Sequence, residues 1–166
     1  TAVALVYAFL KDLYFYVDYY IPDRYKEGYG ISVQGIDWAA ENNFSLIIAL
    51  DCGIKAVDQV AYATTKGVDF IICDHHRPDE IIPSAKAVLD PKRIDCTYPF
   101  KELSGCGIGF KLIQALAAKK NIPFRKVTKH LDLVAVSIAA DIVPIVDENR
   151  VLAYYGLKRL NKSPRP

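Results

Sequence analysis

A chain of 166 residues and 18.5 kDa has the length of one domain with a single well-buried core. Its composition, 52% hydrophobic and 24% charged, excludes a disordered or fibrous protein. The 21 basic and 19 acidic residues leave a formal charge of +2, so any polyanion site must be local, and no apolar run approaches the roughly 18 residues of a membrane span.

The pattern opens on an apolar helix, Ala2 to Leu10, with no cap and no initiator methionine before it, so the chain is expected to be a piece of a larger protein. A strand is expected at Val17 to Ile21, and Ser32 is placed to cap the helix that follows. Two nearly continuous apolar runs, Phe44 to Leu50 and Val68 to Cys73, read as buried parallel strands. Between them Ile54 to Lys66 carries Val57 and Ala61 at helical spacing, with Gly67 as its C-cap glycine. A short strand is expected at Ala87 to Leu89.

After Pro99 the periodicity is helical throughout. Ile108, Leu112, Ala115 and Leu116 are expected to line one face, and Leu131, Val134, Ala135 and Ile138 another. A last helix spans Glu148 to Leu160, and 161–166 read as the start of a linker. The expected fold is α/β: a mostly parallel sheet with helices on both faces and a helical C-terminal third, in one domain over 1–160. Cys52, Cys73, Cys96 and Cys106 form no C-x-x-C pair, which argues against a structural zinc site and for reduced thiols in a cytoplasmic protein.

Two strand ends carry the chemistry. The run from Ile71 leads directly into Asp74, His75 and His76, three potential metal ligands followed by Arg77, in the crevice where open parallel sheets bind their ligands. A histidine pair alone is weak evidence, since such residues are often solvated. The run from Leu46 ends in Asp51, Cys52 and Gly53, a carboxylate able to bridge two cations, or alternatively an N-cap for the helix near Ile54. Asp141 follows an apolar helix in Ile-Ala-Ala-Asp-Ile-Val; an acid buried there needs a partner, and a metal would serve.

Leu50-Asp-Cys-Gly-Ile54, Cys73-Asp-His-His-Arg77 and Ala139-Ala-Asp-Ile-Val-Pro144, in this order, resemble three motifs of the DHH phosphoesterase superfamily. Tyr20-Ile-Pro-Asp-Arg-Tyr-Lys-Glu-Gly-Tyr-Gly30 and Leu103-Ser-Gly-Cys-Gly-Ile-Gly-Phe-Lys-Leu112 are similar to segments of its RecJ-like branch, the single-strand-specific DNA exonucleases. The resemblance implies two divalent ions, manganese or alternatively magnesium, bridged by Asp51, with His75 and Asp141 completing one ion's protein ligands. It implies that Asp74 orients His75 and that His76 faces the scissile phosphate. Arg24, Gly105 and Lys111 become candidate substrate contacts. The implied reaction is stepwise hydrolysis of single-stranded DNA from its 5′ end, in repair and recombination.

The superfamily's first acidic motif, D-x-D-x-D-G, would precede Thr1. The chain alone is therefore expected to bind metal weakly and not to catalyse, and a C-terminal companion domain of the same protein is expected to close the cleft. Alternatives are a relative that cleaves short oligonucleotides, cyclic dinucleotides or pyrophosphate, and a non-catalytic binding member. Gly105, Gly107 and Gly109 do not fit G-x-G-x-x-G, because Phe110 stands at the last glycine position, and no P-loop is present. Their segment can lend N–H groups to a phosphate or pack a helix tightly on its neighbour. Lys119, Lys120, Arg125, Lys126 and Lys129 read as a solvated face with DNA backbone contact as the alternative, and Tyr14, Tyr16, Tyr19 and Tyr20 as packing residues with base stacking as theirs. His130 reads as structural.

Overall fold

The computed structural model describes residues 1–163, which divide into two compact units: one of residues 1–18 with 97 onward, the other of Tyr19–Cys96. The first unit is helical. It holds α1 (Ala2–Lys11), α4 (Gly105–Lys119), a single turn α5 (Arg125–Thr128), α6 (Leu131–Ala140) and α7 (Asp147–Lys162). The second holds α2 (Val33–Glu41), β1 (Leu46–Leu50), α3 (Val57–Thr65), β2 (Asp69–Cys73) and β3 (Ala87–Leu89), with the strands in the order β1-β2-β3 and parallel throughout.

In the α/β unit the side-chain period of two puts Ala49, Phe70 and Ile72 on one face of the sheet. Ala49 lies opposite Ile72, and Ile72 opposite Val88. Ile36 of α2 and Val60 and Ala63 of α3 cover that face, and Phe70, Ile72 and Ile36 are at most 1% exposed. One helix start and one helix end behave as short-range chemistry dictates. Ser32 caps α2 by accepting from the Gly35 N–H at 3.0 Å, and Gly67, at φ +73°, takes the left-handed turn after α3.

Several boundaries differ from the sequence reading. Phe44 stands outside β1 and stacks on Trp38, ring centroids 5.4 Å apart. The helix expected from Ile54 begins at Val57, because residues 54–56 form a turn. Val17 to Ile21 is not a strand: a strand exists only where a neighbour pairs with its backbone, and the three-stranded sheet takes no partner there. With it goes the packing role of the tyrosines. Tyr14, Tyr16 and Tyr19 are 41%, 85% and 54% exposed, and only Tyr20 is half-buried, against Trp38.

In the helical unit α1 buries Ala2, Leu5, Val6 and Phe9, a stripe of helical period. Leu131, Val134, Ala135 and Ile138 of α6 are buried as expected. In α4 Ile108 is buried as expected, but the rest of the buried face is rotated: Cys106, Phe110, Ile113 and Ala117 are buried, while Leu112 and Leu116 are half-buried and Ala115 is exposed. Apolar residues surround this helix on more than one side, so periodicity alone could not choose between them. α7 continues through Asn161 and Lys162, both helix-compatible, which shortens the expected linker; 164–166 lie outside the described residues. No disulfide joins the cysteines, and no helix among the described residues is long and apolar enough to cross a membrane.

Candidate metal centre

The ladder of β1, β2 and β3 delivers the candidate ligands to one edge. Beyond its last residues the Asp51 N–H donates to the Cys73 carbonyl at 2.8 Å, and the Asp74 N–H to the Leu89 carbonyl at 3.0 Å. Asp51, Asp74 and Asp90 therefore each follow the carboxyl end of one of three adjacent parallel strands. Ligand atoms of Asp51, His75 and His76 lie within 4.8 Å of one another, with His75 Nε2 3.1 Å from Asp51 Oδ1 and the two imidazole centroids 4.7 Å apart.

The 3.1 Å contact between His75 Nε2 and Asp51 Oδ1 fits two donors of one cation. Donors at about 2.1 Å from one ion are about 3.0 Å apart when adjacent and about 4.2 Å when opposed. One carboxylate and two imidazoles form a mixed oxygen and nitrogen set suited to divalent first-row ions. Asp51 is not a helix cap. The N-cap of α3 is Ala56, no side chain caps that helix, and Asp51 itself stands at φ +64°.

Asp74 is buried beside this cluster, 1% exposed, and its carboxylate holds the loop. Oδ2 accepts from the Ile54 N–H at 2.9 Å; Oδ1 accepts from the N–H groups of His75 at 2.8 Å and His76 at 3.2 Å. Oδ1 also meets His76 Nδ1 at 2.6 Å. The carboxylate–imidazole contact assigned to His75 on the sequence thus falls on His76, because the chain turns so that Asp74 reaches His75 through its backbone N–H. Burial pushes the Asp74 carboxyl up, but the hydrogen bonds from Ile54, His76 and His75 outweigh it and hold it below its ordinary value. It is therefore ionised at neutral pH and accepts only, which assigns a proton to His76 Nδ1.

Neither nearby thiol is a nucleophile. Burial, with the negative charges of Asp74 and Asp51, pushes Cys52 up to about 11, and burial with Asp74 pushes Cys73 up to about 12. Asp90, 3% exposed, is the acid the sequence reading missed at this edge; its signal was its place at the end of an apolar run. Burial raises its carboxyl, and the Asp74 charge adds to this against a hydrogen bond from the Lys92 N–H.

The remaining candidates have other surroundings. Asp141 caps the C-terminal end of α6 in the helical unit, exposed, with Oδ2 accepting from Ser137 Oγ at 2.9 Å. The expectation of a buried acid fails there, because α6 ends at Ala140 and turns its last residues outward. Lys111 is ion-paired with Glu148, which also accepts from the Tyr98 hydroxyl at 2.7 Å, so this lysine ties α4 to α7. Gly105 is buried in the first turn of α4, and Ser104 caps that helix, its Oγ accepting from the Gly107 N–H at 3.1 Å. Of the basic residues, Lys129 pairs with Asp12 at 2.6 Å, and His130 is buried with its ring edge-on to Phe9. Arg24 is exposed, its guanidinium carbon 5.3 Å from the centroid of the Tyr29 ring.

The chain is thus an α/β domain with a small parallel sheet whose carboxyl edge gathers one carboxylate and two imidazoles that could hold a cation. The chain belongs to the DHH family: the profile of the DHH family, N-terminal domain, matches residues 1–138. It is similar to the single-stranded-DNA-specific exonuclease RecJ of Bacillus subtilis, 45% identical over 99% of this chain and 20% of that protein. It is also similar to the RecJ of Haemophilus influenzae, 38% identical over 96% of this chain and 29% of that protein. The chain thus spans less than a third of the length of these curated relatives. Among solved structures, exonuclease RecJ bound to manganese superposes with a TM-score of 0.85 at 31% identity, over 98% of this chain and 40% of that one. RecJ in complex with Mn2+ from Thermus thermophilus superposes with 0.80 at 26% identity, over 98% and 22%.

Proposed function

We propose that the protein carrying this chain is a divalent-metal-dependent phosphodiesterase that removes nucleotides from the 5′ end of single-stranded DNA, and that this chain supplies part of its metal site. The observation that carries the reading is the gathering of Asp51, His75 and His76 within 4.8 Å at the carboxyl edge of the sheet. The activity named for the similar proteins, and the manganese in two of their structures, support it. Held there, divalent cations would lower the pKa of a bound water and neutralise charge on the attacking and leaving oxygens.

The chain's own residues divide the remaining work. Asp51 offers two carboxylate oxygens at the edge of β1, the donor best suited to bridge a pair of manganese ions. His75 offers Nε2, which must be unprotonated to ligate. Asp74 holds the loop and the Nδ1 proton of His76. Singly protonated, that ring presents a bare Nε2; doubly protonated, with Asp74 compensating its charge, it donates to a phosphate oxygen, the role the family resemblance implies. Asp141 remains a proposed ligand, and Gly105 and Lys111 proposed substrate contacts, on motif resemblance alone. A companion domain and a cytoplasmic setting belong to the same proposal.

The test is digestion of 5′-labelled single-stranded DNA by the full-length protein with and without manganese, with cyclic dinucleotides and pyrophosphate as competing substrates. Manganese-dependent release of labelled mononucleotides is expected, removed by His75→Ala. Preference for a competing substrate, or digestion that survives chelation of metal, overturns the reading.

A further inference from the structure

We propose that Ser137 and Asn149, two buried polar side chains of α6 and α7, are positioning residues for Asp141 and hold its carboxylate ready for a divalent cation. The proposal rests on the reading of Asp141 as a ligand in the function proposed above. Both residues lie outside the motif Ala139 to Pro144 that carries the resemblance.

Ser137 and Asn149 are 1% and 0% exposed. A polar side chain buried so completely is hydrogen-bonded, and where its bonds go shows what it holds. Ser137 stands one helical turn before Asp141. Its hydroxyl donates to Asp141 Oδ2 at 2.9 Å, and its carbonyl accepts from the Asp141 N–H at 2.9 Å. Ser137 thus fixes both the backbone and the carboxylate of Asp141. One carboxylate oxygen is engaged, which leaves Oδ1 for a cation.

Asn149 pins the other end of the same segment. From the first turn of α7 its Nδ2 donates to the Pro144 carbonyl at 3.0 Å and to the Glu102 carbonyl at 2.6 Å. Its Oδ1 is buried with no hydrogen-bond partner among the described residues, a cost to stability that an apolar side chain of similar size would avoid. Asn149 is therefore there for the loop. Between the two pins Ile142 stands at φ +52°, a left-handed conformation that a β-branched residue enters only under strain. Ile142 is 88% exposed, so packing does not hold it there. The path of 141–144 is imposed by Ser137 at its start and Asn149 at its end.

The place of Asp141 selects the sign of its ligand. A carboxylate at the C-terminal end of a helix stands beside backbone carbonyls of partial negative charge, a position that favours basic side chains over acids. The same carbonyls favour a cation held by that carboxylate. A carboxylate already fixed in one orientation loses less freedom on binding, so its preorganisation appears as metal affinity.

The experiment is a mutant cycle in the full-length protein. Manganese binding is read by calorimetric titration, kcat on 5′-labelled single-stranded DNA at low and saturating manganese, and folding by circular dichroism. Ser137→Ala and Asn149→Ala are each expected to weaken manganese binding about tenfold and to regain most of kcat at saturating manganese. In an Asp141→Ala background neither should weaken it further by more than about twofold. Ser137→Ala removes a single oxygen atom and decides alone where Asn149→Ala does not fold. Unchanged manganese affinity in a folded Ser137→Ala, or an equal loss with and without the Asp141 carboxylate, overturns the positioning role. Unchanged affinity in Asp141→Ala shows instead that Asp141 is no ligand, and the proposal falls with that reading.

Discussion

Asp51 occupies a backbone conformation that most L-residues enter only at a cost, φ +64°, on the residue where β1 leaves the sheet. Aspartate tolerates the left-handed region better than other side chains, and the ladder bond from its N–H to Cys73 holds it there. Glycine would fit this angle without strain, so a carboxylate at this position serves its chemistry and not the turn. Two substitutions separate these terms. Asp51→Gly is expected to be more stable to urea than Asp51→Ala by about 1 kcal/mol, because alanine keeps the Cβ penalty and glycine does not. Both should lose manganese affinity and hydrolysis alike, read by calorimetric titration and by kcat. Near-normal manganese binding in a folded Asp51→Gly would falsify the ligand assignment.

Among the elements, the pairing of α6 with α7 depends on one missing methyl group. Gly156 lies in the middle of α7, where glycine ordinarily costs about 1 kcal/mol relative to alanine. Here a Cβ would run into the Leu131 carbonyl oxygen and stand 2.6 Å from Ala135 Cβ, both on α6. Backbone cannot move aside as a flexible side chain can, so the steric term exceeds the propensity term. Gly156→Ala is expected to destabilise by about 2 to 3 kcal/mol, the range of overpacked cores. Thermal unfolding checks it, and an unchanged or raised Tm would show that the helices are free to separate. Gly107 gives the contrast, since its Cβ would meet the Ser104 hydroxyl at 3.3 Å and Leu103 side-chain atoms at 3.5 and 3.6 Å, contacts that small shifts relieve.

For the molecule as a whole, two buried carboxyls at the same sheet edge pull its pH dependence in opposite directions. Asp74 is held below its ordinary value by hydrogen bonds that outweigh burial. Folding therefore favours its ionised form, and the stability it contributes is present above the unfolded pKa of about 3.9 and lost as pH falls through the folded value. Asp90 is raised, chiefly by burial. Folding disfavours its ionised form, so it subtracts stability above its folded pKa and ceases to do so as pH falls towards the unfolded one. Urea unfolding from pH 8 to pH 3 should show Asp74→Asn less stable than the unmodified protein at pH 7, the gap closing below about pH 4. Asp90→Asn should be more stable at pH 7, with the gap closing on acidification. A destabilised Asp90→Asn at pH 7 would mean that its charge has a partner.

What the sequence by itself determined is what local pattern and short-range chemistry control. The apolar runs before Asp51 and Asp74 marked two strands, although β1 is only partly buried, Ser32 marked a helix cap, and a carboxylate followed by paired histidines at a strand end carried both the DHH resemblance and the candidate ligands. Only the tertiary structure decided matters of long-range pairing. Val17 to Ile21 has strand-like side chains, yet no neighbour in the sheet takes its N–H and C=O groups. The buried face of α4 was chosen by the helices packed on it, and the exposed Asp141 by how α6 ends. Whether Asp74 holds the ring of His75 or of His76 depends on which way the chain turns after β2, a choice that two adjacent identical side chains leave open. Period and composition bound each residue's environment, but which atoms meet is settled by contacts between segments far apart in the chain, and these no local pattern encodes.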